Sequence, residues 1–206
     1  MGQALDLKRL EKKTFTSRFQ DGLIDLQIGL CLVLVWFAGF FGPGTAGPVR
    51  IKLVWIGFVV VIIGVGLLKR YLTHPRMGTF QAAPARKKRL RIGAWVLFVL
   101  VLAQVGLVVV QATDLGLSGF DRLQGAVLIG LAFTIPWAFF AWASDFERGY
   151  LQALLLGGSI AVGITFDDGT AFLLSGVLLS IIGLALFVRF LIANPQLPEG
   201  HDAAAA

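Results

Sequence analysis

Six long apolar runs constrain this chain more than any other feature. They cover residues 23–41, 53–72, 92–110, 126–143, 150–166 and 171–190, and together take up most of its 206 residues. Each approaches the roughly 20 residues a helix needs to cross about 30 Å of hydrocarbon. Only 15% of the residues are charged, against about 25% in soluble domains. The runs are continuously apolar rather than alternating, which argues against a transmembrane β-barrel. The pattern predicts an all-α membrane protein with six transmembrane helices arranged as three hairpins. One membrane domain over 21–193 would lie between a basic cytosolic or interfacial segment, 1–20, and a short cytosolic tail, 194–206. The first twenty residues carry Lys8, Arg9, Lys12, Lys13 and Arg18 without a short apolar core, unlike a cleaved signal peptide. Residues 4–16 read either as a short interfacial helix on anionic headgroups or as a basic tail that fixes orientation.

Charge sets the expected orientation. With the N-terminus in the cytosol, every Lys and Arg except Arg50, Lys52 and Arg122 falls on the cytosolic side, and Asp114, Asp121, Asp167 and Asp168 fall outside. The positive-inside rule therefore places both termini in the cytosol, in agreement with an even helix count. The longest loop, 73–91, is then cytosolic. It holds Pro75, Arg76 and the run Arg86-Lys87-Lys88-Arg89, a cluster suited to anionic headgroups or a protein partner. Nucleic acid is not an expected partner, because no folded element accompanies the charge.

A short motif recurs. Ser17-Arg18-Phe19-Gln20-Asp21-Gly22 is matched by Ser144-Asp145-Phe146-Glu147-Arg148-Gly149, and the match extends to Asp25 and Gln152. Part of it is helix-start chemistry, because Ser17 with Gln20 and Ser144 with Glu147 fit the capping box. A third copy, Ser118-Gly119-Phe120-Asp121, lacks the extension. At the far ends, Arg70-Tyr71-Leu72 precedes Pro75 and Arg189-Phe190-Leu191 precedes Pro195. Helices one and two thus read as a parallel repeat of five and six. Small residues at helical spacing (Gly157, Ala161, Gly176, Ser180, Gly183) predict that helices five and six form the tightest hairpin.

Asp25 is the one acidic residue well inside an apolar run. A carboxylate there should face the bundle and find a partner. Arg70 and Arg189 are the expected partners, with Gln27 and Gln152 at the same depth. The cluster reads either as an ion pair that fixes packing or as an ion-linked site at the inner mouth of a cavity. Gln104 and Gln111 share a face of the third helix, and Pro136 predicts a bend in the fourth. Cys31 is the sole cysteine and the histidines are His74 and His201, so no cofactor or metal site is expected. No metalloprotease, nucleophile-elbow or P-loop motif is present, and the chain is not expected to be an enzyme. An activity on lipid would need Asp25, Arg76 and His74 in one pocket.

The run Phe19-Gln20-Asp21-Gly22-Leu23-Ile24-Asp25-Leu26-Gln27-Ile28-Gly29, with Pro75-Arg76-Met77-Gly78, resembles the start of a group of uncharacterised multi-pass membrane proteins of bacteria and archaea. The resemblance covers mainly the first eighty residues. It implies a prokaryotic plasma-membrane protein, carries no activity, and draws attention to Asp21, Asp25, Pro75 and Arg76. The leading expectation is a non-enzymatic structural or partner subunit that binds lipid and associates with a protein partner or a second copy. The alternative is a small transporter or channel subunit using the polar cluster around Asp25.

Overall fold

The computed structural model describes residues 20–39, 48–77, 91–93, 95, 98–99 and 121–195. Among them there are helices and turns but no strand. The helices are α1 (Leu23–Ala38), α2 (Pro48–Leu68), which continues as a π-helical segment (Lys69–Thr73), the single turn α3 (His74–Met77), α4 (Arg122–Ala143), α5 (Arg148–Phe166) and α6 (Thr170–Ala193). Four stretches are long and apolar enough to cross a membrane: Val49–Thr73, Arg122–Ala143, Arg148–Phe166 and Thr170–Ala193. Helix α1 has 16 residues, a length of about 24 Å. Residues 91–93, 95, 98 and 99 are helical. The rest of the expected third span, with Gln104 and Gln111, lies outside the described residues, as do Ser17 and Ser118.

Helix ends follow local chemistry. Pro48 opens α2, at the one position where a missing N–H removes no helical bond. Gly22 and Gly39 bracket α1, each with φ of 70°, a backbone region that favours glycine. The Gly39 amide donates to the Trp36 carbonyl at 3.0 Å. Between α4 and α5, Ser144 does not form the expected capping box. Its hydroxyl donates back to the Phe140 carbonyl at 2.6 Å, and α5 begins at Arg148 without a side-chain cap. The serine finishes one helix rather than starting the next. Pro136 lies buried within α4, which continues through it.

The closest helix approaches are α1 with α6 and α4 with α5, not α5 with α6 as the small residues suggested. A methyl group on Gly29 would sit 2.5 Å from the Ser180 amide nitrogen. Gly176 and Gly183 in α6 are pressed in the same way against Gly29 and Leu26 of α1, and Gly157 of α5 against Gly130 and Thr134 of α4. Small side chains let backbones meet where dispersion, rather than water, drives association. Each hairpin helix thus turns its small face to a different neighbour. Helices α5 and α6 are joined by Ser159, whose hydroxyl donates to Ser175 Oγ at 2.8 Å.

Two apolar clusters complete the packing. Leu32, Ile160, Phe172 and Leu179 join α1, α5 and α6, and Leu23, Val65 and Phe187 join α1, α2 and α6. Contact between the start of α1 and the end of α2 makes that pair antiparallel, as expected. The outward faces are apolar as well: Trp55, Ile56, Val60, Leu174 and Ile192 are all exposed, a pattern suited to lipid.

Candidate functional site

The start of α1 meets the end of α2, the end of α4, the start of α5 and the end of α6 in one polar junction. Asp25 is at its centre, one turn into α1 and buried. Arg148 Nη1 donates to Asp25 Oδ2 at 2.9 Å, and Gln152 Nε2 donates to Asp25 Oδ1 at 2.5 Å. Trp137 Nε1 then donates to Gln152 Oε1 at 3.1 Å, which extends the chain of bonds into α4. Arg148 also stacks over the Phe146 ring at 5.6 Å. The donors come from α5 because Arg148 and Gln152 are four apart and so share a face.

Asp21 forms the second half of the junction and is also fully buried. Its Oδ1 accepts from the Leu23 amide at 3.3 Å, and Lys69 Nζ lies 3.5 Å from Oδ2. Burial pushes the Asp21 carboxyl above its ordinary 3.8, against the opposing pull of Lys69. Two carboxylates and two cations thus alternate across α1, the π-helical segment and α5, with no net charge. Ion pairs and hydrogen bonds of this kind are the way a buried charge becomes tolerable among apolar helices.

Sequence reasoning placed Asp25 and Gln152 in the site, and the structure brings them into direct contact. It assigned Asp25 the wrong cation. Arg70 is exposed and stacks on Tyr71 at 6.0 Å, and Arg189 is exposed on α6. Both have the right depth but point away from Asp25. Gln27 is half-buried and is not part of the hydrogen bonds to Asp25. Arg148, Asp21, Lys69 and Trp137 were missed. Arg148 and Asp21 occupy equivalent places in the repeated motif, so the four residues Asp21, Asp25, Arg148 and Gln152 are two matched pairs.

The expected loop site divides. Pro75 is exposed. Arg76 turns to the protein, donating from Nη1 to the Leu191 carbonyl at 3.3 Å, where a cation suits the carbonyl end of α6. Arg86, Lys87, Lys88 and Arg89 lie outside the described residues. Among the described residues, no three of His, Cys, Asp and Glu are grouped as metal ligands would be. No protein-family model matches the sequence, and no curated protein or solved structure is detectably similar to it.

At the opposite end, Arg122 Nε donates to the Ile164 carbonyl at 2.8 Å and Nη2 lies 3.7 Å from Asp167 Oδ1. In the turn that follows, the Thr170 amide and hydroxyl both donate to the Asp168 carboxylate, at 3.0 and 2.8 Å. The α5–α6 connection is therefore the tight turn its Asp-Asp-Gly-Thr sequence predicts.

Proposed function

We propose that this chain is a non-enzymatic, multi-pass subunit of a prokaryotic plasma membrane, with both termini cytosolic. The polar junction is a structural clasp at its cytosolic end. One observation carries the clasp: both oxygens of Asp25, the acid deepest in an apolar helix, are engaged by side chains of α5. The carboxylate is spent on joining helices. Six crossings are supported by the directions of the helices. Helices α2 and α4 both end at the junction, so the chain between them has to return to the far end before α4 begins. The junction itself holds Lys69, Arg70, Arg76, Arg148 and Arg189, and the far end Arg50, Lys52 and Arg122, which agrees with a cytosolic junction.

The basic run 86–89 gives such a subunit a means of holding anionic headgroups or an acidic partner surface. The resemblance of its first eighty residues to multi-pass proteins of bacteria and archaea is in keeping with this placement. Affinity purification in mild detergent tests the reading. A protein that co-purifies at fixed stoichiometry is the expected result, and a solitary monomer would contradict it.

A small transporter or channel subunit is the second reading. It is favoured by the alternation of acids and cations across three helices, an arrangement that proton pathways also use. Flux in liposomes decides: a wild-type flux that Asp25→Asn abolishes would establish transport and displace the clasp.

A further inference from the structure

The two acids of the junction are held very differently. Asp25 has a short bond to each oxygen. Asp21 is as deeply buried, yet its Oδ2 has no hydrogen bond. Its sole cation contact, Lys69 at 3.5 Å, is well beyond the roughly 2.7–2.9 Å of a charge-assisted bond. The groups that face Asp21 can be named element by element. The π-helical segment brings Lys69, α5 brings the charge of Arg148, and α1 itself brings Asp25 one turn on. Helix α6 brings Gly183, Leu186 and Phe187 against the neighbouring Gly22, and none of these ionises. A weakly held buried carboxylate beside a movable ammonium is a place where a proton can compete with a lysine.

The lysine side of the contact is built to move. Lys69 opens the π-helical segment, and its side chain is 26% exposed. Its long aliphatic stem lets the ammonium swing toward headgroups. Thr73 closes the same segment, with a buried hydroxyl that has no hydrogen-bond partner. Single π turns are frequent where function needs a departure from regular helix. This segment is tied to its neighbours at two points, Lys69 to Asp21 on α1 and Arg76 to the Leu191 carbonyl on α6.

We propose that Asp21 is a proton-binding latch. Ionised, it holds Lys69 and the π-helical segment against the start of α1. Protonated, it gives up Lys69, and the segment pivots on the Arg76–Leu191 contact. The proton comes from the cytosolic water layer and returns there, with no other bond made or broken. The latch requires neither a partner subunit nor a transported substrate.

The test is a spin-label distance in detergent between Tyr71→Cys, on the segment, and Glu147→Cys, in the α4–α5 turn, with Cys31→Ser to remove the native thiol. Measurements are made at neutral pH and just above pH 3.8. The unmodified latch should shift reversibly to a second distance in acid. Asp21→Asn should show the acid distance at both pH values, and so should Lys69→Gln, which removes the other half of the contact. Two results would overturn the proposal: no shift in the parent protein, or a shift that persists in Asp21→Asn. A shift that disappears only with Asp25→Asn would also overturn it, because the proton would then belong to the deeper acid.

Discussion

Replacing Arg148 by Met tests the central ion pair most sharply. The Asp25 side chain is 2% exposed and that of Arg148 is 31% exposed, so the two partners do not suffer equally when separated. Without Arg148, Asp25 keeps one amide donor, from Gln152, and no countercharge. Breaking a fully buried pair by removing one partner costs about 3–5 kcal/mol. Arg148 is partly solvated, which screens the pair, and a stranded Asp25 can take up a proton. The expected loss is therefore about 2–3 kcal/mol. Asp25→Asn is milder. Its amide oxygen can still accept from Gln152 and Arg148, and Arg148 keeps its contact with solvent. That loss should be about 1 kcal/mol. The double variant should lose less than the sum, because it leaves no uncompensated charge. Reversible unfolding in mixed micelles gives all three values. If Asp25→Asn is as damaging as Arg148→Met, or if the two losses simply add, the pair does not hold the helices together.

Other expectations follow from the same contacts. Gly29→Val should force α1 away from Ser180 and lower stability by at least about 1–3 kcal/mol. Gly64→Ala, at a position with open space around it, should leave thermal stability in detergent nearly unchanged. Trp137→Phe removes the indole donor to Gln152 and should cost about 1 kcal/mol, read as a lower melting temperature. Asp21 gives a pH dependence of defined sign. Its folded carboxyl titrates above the ordinary 3.8, so the folded state binds more protons than the unfolded state in that window. Stability should therefore fall as pH rises from 3.8 through the folded value. Asp21→Asn should remove that part of the slope in pH-dependent unfolding.

Helix positions were legible because hydrophobicity alone decides which residues a membrane accepts. Spans expected at 126–143, 150–166 and 171–190 appear as Arg122–Ala143, Arg148–Phe166 and Thr170–Ala193. The starts differ because charged first turns such as Arg122, and Arg50 with Lys52 in α2, are helical without being apolar. Residue depth was legible too, and it put Asp25 and Gln152 together. Rotation about the helix axis was not. Arg70 and Arg189 match Asp25 in depth but face outward, whereas Arg148 lies in a motif that helix-capping chemistry explained well enough to hide its other use. The same gap misassigned the small residues of α5 and α6. A stripe of glycine shows that some helix comes close, but not which one.

Topology labelling is the most direct test of a membrane subunit with its polar junction at the cytosolic end. Glu147 and Asp167 are both exposed, in turns at opposite ends of α5. Each is replaced by cysteine in a Cys31→Ser background and treated with a membrane-impermeant thiol reagent on intact cells. Asp167→Cys should react from outside, and Glu147→Cys only after the membrane is opened. Reaction of Glu147→Cys on intact cells, or of both positions alike, would contradict the account.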